Sequence, residues 1–513
     1  MKKMERNDRE LIGRGQGSGQ LVLLRYSGDV TTKATPTRRR FVQRMARNVK
    51  DALRSVGVVH TLTRTHTRIF VELAEDADGR GLDALARVFG VQSLAPVVER
   101  AWQSLDDVVA AGVELFADTV RDKSFAVRAR RVGDRRQIPV RSDDVQRSLG
   151  ALLAPHARCV RLDDPEVTVA VELMPGRAFF FRESVPAHAG LPLGCEGRAV
   201  ALVSGGFDSP VAAWLMMKRG VSLDYVFCNL GGRAHQLETL RVMKVIADRW
   251  SYGTRPHFHA IDFDDVTREL QAKVTTRYWQ IVLKRLMVRA AEAVVAERDA
   301  LAIVTGEAVG QVSSQTLPNL AVISAASRLP ILRPLVGFNK QEIIDLSRQI
   351  GTHDLSAKVG EYCAMVPSKP ATRATLARIE AEEADIDPNV LERAIAERSV
   401  FDLRTLDLES LDRSDIQTER IPQGAIVIDL RSKAAFEGWH YPDALFLDFQ
   451  TAMRSYPQFD REQHFVLYCE FGLKSGHLAE RMRAEGIQAS HFAGGFKALI
   501  AWARRQGVAT PES

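Results

Sequence analysis

Short apolar runs alternate along most of this chain with longer stretches in which apolar positions recur at helical spacing. Leu21 to Tyr26 reads as a strand, and Pro36 to Ser55 as a helix carrying Arg38, Arg39, Arg40, Arg44 and Arg47. Val58 to Arg64 and Thr67 to Leu73 read as a strand pair, followed by a helix from Gly81 to Phe89. The order implied is β-α-β-β-α-β, a small ferredoxin-like unit. A second α/β unit follows. Leu105 to Asp118 is helical, and Ser124 to Arg130 is a strand whose alternate residues are basic. Ser142 to Leu153 is a helix, and Val167 to Leu173 and Arg177 to Phe181 form a hairpin about Pro175-Gly176.

From Gly197 to about Thr352 the alternation becomes regular. Strands are expected at Ala199 to Val203, Tyr225 to Asn229, Phe258 to Phe263 and Ala302 to Thr305. Helices are expected at Val211 to Lys218, His235 to Trp250 and Val274 to Glu297. Such alternation predicts a doubly wound parallel sheet, whose ligands sit beyond the carboxyl ends of its strands. Residues 371–400 are charged and helical, and a polar connector precedes a last α/β domain with strands at Ile426 to Leu430 and Phe465 to Tyr468. The boundaries expected are a flexible, glycine-bearing tail at 1–20, a ferredoxin-like unit at 21–78 and a second unit at 79–186. The parallel-sheet domain then spans 187–400, the linker 401–420 and the terminal α/β domain 421–513.

Composition narrows the class without choosing a function. A chain of 513 residues, 45% hydrophobic and 26% charged, has the material for several cores. No apolar run approaches the roughly 18 residues needed to span a bilayer, and the charged start does not resemble a signal peptide. The expectation is a cytoplasmic protein without a membrane partner. Charge is uneven: residues 1–60 carry 14 Lys/Arg against 5 Asp/Glu, whereas residues 401–513 carry 13 against 16. A polyanion would dock at the front. The cysteines, Cys159, Cys195, Cys228, Cys363 and Cys469, are far apart and odd in number, which supports neither a zinc site nor a disulfide framework.

The chemistry concentrates in three segments. Ser204-Gly205-Gly206-Phe207-Asp208-Ser209 follows an apolar strand and opens a helix, the geometry that offers backbone N–H groups to an anion. Its glycines admit phosphate closely, Ser204 and Ser209 supply hydroxyls, and Asp208 is placed to hold a metal carried by that phosphate. The lysine of a Walker loop is missing. The segment resembles instead the PP-loop of ATP pyrophosphatases, which adenylate a carbonyl oxygen.

The second segment is Gly306-Glu307-Ala308-Val309-Gly310-Gln311-Val312-Ser313-Ser314-Gln315-Thr316, directly after a strand. It resembles a segment of the tRNA 4-thiouridine synthases. That resemblance implies that Gly306, Gln315 and the backbone of Leu202 and Val203 line an ATP site. It also implies that Lys284 contacts ATP, with Lys340 a further candidate for ATP or RNA. The same family carries a reactive cysteine in a Glu-Tyr-Cys segment, here Glu361-Tyr362-Cys363. In the N-terminal part, the order of elements and the basic strand resemble the THUMP domain, an RNA-binding module. Lys33, Arg39, Arg128 and Arg130 are its candidate tRNA contacts. The family's Gly-Glu-Ile-x-x-Lys is here Gly28-Asp29-Val30-Thr31-Thr32-Lys33.

The third segment, Cys469-Glu470-Phe471-Gly472-Leu473-Lys474-Ser475, sits between a strand and a helix. Loop N–H groups and a helix N-terminus there would stabilise a thiolate or persulfide. With Asp429-Leu430-Arg431, His440-Tyr441-Pro442-Asp443-Ala444 and Gly494-Gly495-Phe496, it resembles a rhodanese. Phe471 and Leu473 stand where many rhodaneses have basic or polar residues, which argues against thiosulfate as the natural donor.

The whole arrangement is identified as that of a tRNA 4-thiouridine synthase. The resemblance implies sulfur transfer to uridine 8 of tRNA with ATP and Mg2+, the magnesium carried by the nucleotide. It implies a pyridoxal-phosphate cysteine desulfurase as donor, a persulfide on Cys469, and a transient disulfide between Cys363 and Cys469. A second role, giving sulfur to the carrier protein of thiamine thiazole synthesis, is also implied. The alternatives are a PP-loop enzyme acting on another base position, a non-catalytic RNA-binding protein, and a rhodanese sulfur carrier alone.

Overall fold

The computed structural model describes residues 19–511 apart from 75, 77, 360–368 and 413–415. The chain divides into two compact units, one built almost wholly from the first 196 residues and the other from the rest. Among the described residues no helix is long and apolar enough to cross a membrane.

The first unit holds two five-stranded sheets. In the first, the strands run in the order Val185–Pro186, Val91–Pro96, Gln20–Tyr26, Arg68–Leu73, His60–Arg64, every neighbour antiparallel. Its four main strands and the helix Thr35–Ser55 give the ferredoxin-like order. Phe41, Met45, Val49 and Leu53, on one face of that helix, are buried against Val22, Leu24, Ile69 and Val71. The boundary expected at residue 78 is displaced. The last ferredoxin-like strand is Val91–Pro96, which pairs with Gln20–Tyr26, so the unit runs to Pro96.

The second sheet has the order Val98–Ala101, Arg177–Phe181, Val167–Met174, Ser124–Arg131, Cys159–Val160. The helices Leu105–Phe116 and Ser142–Leu153 cover it, the first begun by a capping box in which Ser104 and Asp107 satisfy each other's backbone N–H. Between the sheets lies Glu172, 1% exposed. Arg25 and Arg68 of the first sheet and Arg130 of the second all pair with it. Burial would raise the Glu172 carboxyl, but the three guanidiniums outweigh that and hold it below its usual value.

The second unit centres on a six-stranded sheet in the order Ile331–Leu332, Ile303–Val304, Arg198–Leu202, Ser222–Asn229, His257–Asp262, Ser399–Asp402. All neighbours are parallel except the last pair. Two expectations change here. The helix foreseen from Val274 starts at Trp279 and is preceded by a separate helix, Asp264–Lys273. The chain breaks because Val274 is extended and Thr275 donates both its amide (2.8 Å) and its hydroxyl (3.0 Å) to Glu382. The linker foreseen at 401–420 is shorter. Its first residues belong to the edge strand Ser399–Asp402, and Gln417–Thr418 already pairs in the terminal sheet. That terminal sheet is wholly parallel, in the order Gln417–Thr418, Ala489–Phe492, Phe465–Tyr468, Ile426–Asp429, Leu445–Phe446.

Candidate active site

The strand Arg198–Leu202 ends at the carboxyl edge of the central sheet, and its chain turns through Ser204 to Phe207 into the helix Asp208–Lys218. Gly205 has φ +77, and a Cβ there would lie 2.7 Å from the Thr239 hydroxyl oxygen. Only glycine fits both the left-handed backbone and the space. The Ser204 N–H donates to Ser209 Oγ at 3.1 Å, closing the loop on its own helix. Gly206 O accepts from Ser356 Oγ at 3.4 Å, and Ser204 O faces His235 Nε2 at 3.3 Å. A carbonyl can only accept, so that nitrogen carries the proton. Burial pushes the His235 pKa down to about 4, and the ring is neutral.

A second loop leaves the neighbouring strand Ile303–Val304 and packs on the first. A Cβ on Gly306 would lie 3.0 Å from backbone atoms of Asp208 and Ser209, so glycine permits the close approach. Glu307, beside it, is buried. Its carboxylate accepts from Lys284 Nζ (3.0 Å), Arg333 Nε (2.9 Å) and Thr305 Oγ1 (3.1 Å). Burial would raise the Glu307 pKa, yet Lys284 and Arg333 outweigh it and the net shift is downward. Asp208 is engaged on both oxygens, by Lys340 Nζ and by Gln311 Nε2, each at 2.9 Å. Gln315 lies buried in the short turn Ser313–Gln315, and its Oε1 has no hydrogen-bond partner among the described residues.

The structure thus brings together Leu202, Val203, Ser204, Gly205, Gly206, Asp208, Ser209, Lys284, Gly306 and Lys340 around one strand edge. Sequence reasoning passed over Glu307, Gln311, Arg333 and His235 as site residues. Arg333 directly follows the strand Ile331–Leu332 and Glu307 comes three residues after the strand Ile303–Val304, and the rule that ligands sit at carboxyl ends could have found them. The site gathers two lysines and an arginine held by carboxylates beside a helix N-terminus, an arrangement chemically suited to an anionic ligand.

In the terminal domain the strand Phe465–Tyr468 delivers Cys469 to a loop that enters the helix Leu473–Ala484. Cys469 is 4% exposed, and its Sγ accepts from Ser475 Oγ at 3.4 Å. Gly495 has φ +66, and a Cβ there would come within 2.6 Å of Glu470 O and 2.9 Å of Gly472 N. The Gly494-Gly495 turn therefore backs the cysteine loop directly. The Phe496 N–H donates to Cys469 O at 3.0 Å. Arg431 is fully used within the domain: it forks onto Asp429, donates to Trp439 O and lies over the Phe496 ring at 3.5 Å. Tyr468 OH donates to the same Asp429 at 2.7 Å. Phe471 is exposed.

Cys363 lies outside the described residues. In the first unit Lys33 and Arg39 are exposed, Arg128 donates to Leu162 O, and Arg130 is committed to Glu172.

Family models match in the same order as these folds: the ThiI ferredoxin-like domain over residues 21–95, the THUMP domain over 103–182, the thiamine biosynthesis protein (ThiI) over 194–387 and the rhodanese-like domain over 413–501. A tRNA sulfurtransferase of Pyrobaculum aerophilum is 34% identical over 473 residues, 92% of this chain and 96% of that relative. Another, from Pseudomonas aeruginosa, is 37% identical over 479 residues, 91% of this chain and 98% of the relative. The chain belongs to the tRNA sulfurtransferase family. A solved 4-thiouridine synthetase, in complex with RNA and with bound ATP, superimposes with a TM-score of 0.65 at 28% identity. It accounts for 75% of this chain and 99% of its own. Membership in this family makes the chain a sulfurtransferase and bears out the fold read from sequence, with ferredoxin-like, THUMP, nucleotide and rhodanese parts in that order.

Proposed function

We propose that this enzyme places sulfur at the 4-position of uridine 8 in tRNA, using Mg-ATP to activate the base and a Cys469 persulfide to deliver the sulfur. The observation that carries the reading is the convergence of Gly306, Gln311 and Lys340 on the Ser204–Ser209 loop, with Lys284 held by Glu307 next to Gly306. The likeness to a synthetase solved with RNA and ATP supports it.

The uridine O4 attacks the α-phosphate of ATP, forming adenylated uridine and releasing pyrophosphate. Loop N–H groups of Gly205 to Asp208, with Lys284 and Lys340, offset the growing charge on the phosphates. Asp208 exchanges Lys340 for the magnesium that ATP brings. A cysteine desulfurase loads Cys469 as a persulfide. Its terminal sulfur attacks C4 and AMP leaves, joining Cys469 to the base through two sulfurs. Cys363 thiolate then attacks Cys469 Sγ, a Cys363–Cys469 disulfide forms, and the thiolated uridine departs. A thiol reductant returns two electrons and resets both cysteines.

A second reading accompanies the first. The matching family model is described as a thiamine biosynthesis protein, and the persulfide of Cys469 requires none of the nucleotide machinery. The same sulfur therefore serves the carrier protein of thiazole synthesis. The test is unmodified tRNA, Mg-ATP, cysteine and a desulfurase, read by the near-ultraviolet absorbance of thiolated tRNA. AMP and pyrophosphate should form, and Cys363→Ser and Cys469→Ser should each lose multiple turnover. Full activity of Cys469→Ser would overturn the persulfide route.

A further inference from the structure

Two successive residues of the Leu473–Ala484 helix reach the starts of two helices of the nucleotide domain. Glu480 Oε2 accepts from the Arg233 N–H at 2.9 Å, in the first turn of the helix Gly232–Trp250. Arg481 pairs with Asp264, the first residue of the helix Asp264–Lys273. Both of those helices begin where a parallel strand ends, Ser222–Asn229 for one and His257–Asp262 for the other. The contact therefore lies on the ligand-binding edge of the sheet and not on its back.

Glycines admit the approach. A Cβ on Gly232 (φ +69) would lie 2.1 Å from Glu480 Oε2, and one on Gly476 would lie 3.1 Å from the Ala234 Cβ. Gly476 is on the first turns of the helix that starts at the Cys469 loop. Ala234 adjoins His235, whose Nε2 faces the Ser204 carbonyl at 3.3 Å. One chain of contacts thus runs from the cysteine loop to the nucleotide loop: the start of the Cys469 helix, Ala234, His235, Ser204. Arg481 also bonds the buried Tyr456 of its own domain, so the side chain that meets Asp264 is braced from behind.

We propose that the Leu473–Ala484 helix is a docking element that seats the Cys469 loop at the nucleotide edge during sulfur delivery, with Glu480 and Arg481 as its positioning residues. This rests on the persulfide reading above. It requires that weakening the seat slow delivery while both half-reactions continue.

The test uses the full chain and three readouts: Cys469 persulfide formation from a desulfurase, tRNA-dependent AMP formation, and the rate of tRNA thiolation. Asp264→Arg and Arg481→Asp should each slow thiolation roughly fivefold, and their combination should return to within about twofold of the unsubstituted rate. Glu480→Ala should slow it by a similar factor and Glu480→Gln by less. Persulfide loading and AMP formation should hold throughout, which also shows that the variants fold. Thiolation at the normal rate in the single variants, or a double variant as slow as the singles, would overturn the seat. Absence of Cys469-dependent thiolation in the unsubstituted chain would instead overturn the persulfide reading, and the seat with it.

Discussion

The nucleotide loop and the cysteine loop are built on one plan and furnished differently. Each follows a parallel strand, turns on a glycine with positive φ (Gly205 at +77, Gly472 at +88) and enters a helix. Each therefore directs backbone N–H groups at an anion. Around the first stand Lys284, Lys340 and Arg333, every one of them paired with a carboxylate, Glu307 or Asp208. Around the second the only arginine brought in by the rhodanese motifs, Arg431, is sealed against Asp429, Trp439 and Phe496. At Cys469 itself the structure gives a bond from the Ser475 hydroxyl, and the neighbouring Phe471 is exposed. The lesson is that loop geometry suits negative charge at both places, while the side chains set the two apart: paired cations crowd the first loop, and the rhodanese arginine is withheld from the second.

The sharpest break in the comparison is to disable each loop separately. Asp208→Ala should reduce tRNA thiolation by about a thousandfold while leaving Cys469 persulfide formation intact, and Cys469→Ser should abolish persulfide formation while sparing AMP formation. If either substitution silenced both half-reactions, the two loops would not be independent machines.

Next in size is the cysteine loop's dependence on backbone space. Gly495→Ala should destabilise the terminal domain by about 2 to 4 kcal/mol and abolish persulfide loading, because its Cβ meets backbone that cannot yield. Thermal unfolding followed at the terminal domain would show it, and Gly507→Ala, which meets nothing within 4 Å, serves as the comparison for positive φ alone.

A smaller effect separates the charge environments. The folded-state pKa of Glu307 lies below its unfolded value, so the stability it contributes is complete at neutral pH and is lost as pH falls through the folded value. The gap in urea midpoint between the unsubstituted chain and Glu307→Gln should be widest near neutrality and close as pH drops below the carboxylate range. A gap that stayed constant with pH would refute the pairing. The smallest effect belongs to Ser475→Ala, which removes one neutral donor to Sγ and should slow persulfide loading by about threefold to tenfold.

These two loops were legible in sequence because each is a contiguous string with glycines at fixed places. Strands, turn and helix start could be read together, and the Arg177–Phe181 strand and the Ser142–Leu153 helix fell where the patterns put them. What escaped depends on partners distant in the chain. Glu307 meets Arg333 across 26 residues and Lys284 across 23, and while position after a strand marks Glu307 and Arg333 singly, nothing local announces that the three meet. The break before Trp279 escaped for the same reason, since the apolar rhythm runs through Val274 and only Glu382, 107 residues on, draws Thr275 out of the helix. The acidic pair Asp264-Asp265 was a readable sign of the extra helix start.

Glu172 has a consequence for the first unit. One carboxylate shared by arginines from two sheets ties those sheets together as a rivet ties two plates, since swinging either away would strand charge in a dry seam. The two sheets are therefore held at one set spacing, and any partner that touches both meets a fixed gauge and not a pair of independent surfaces.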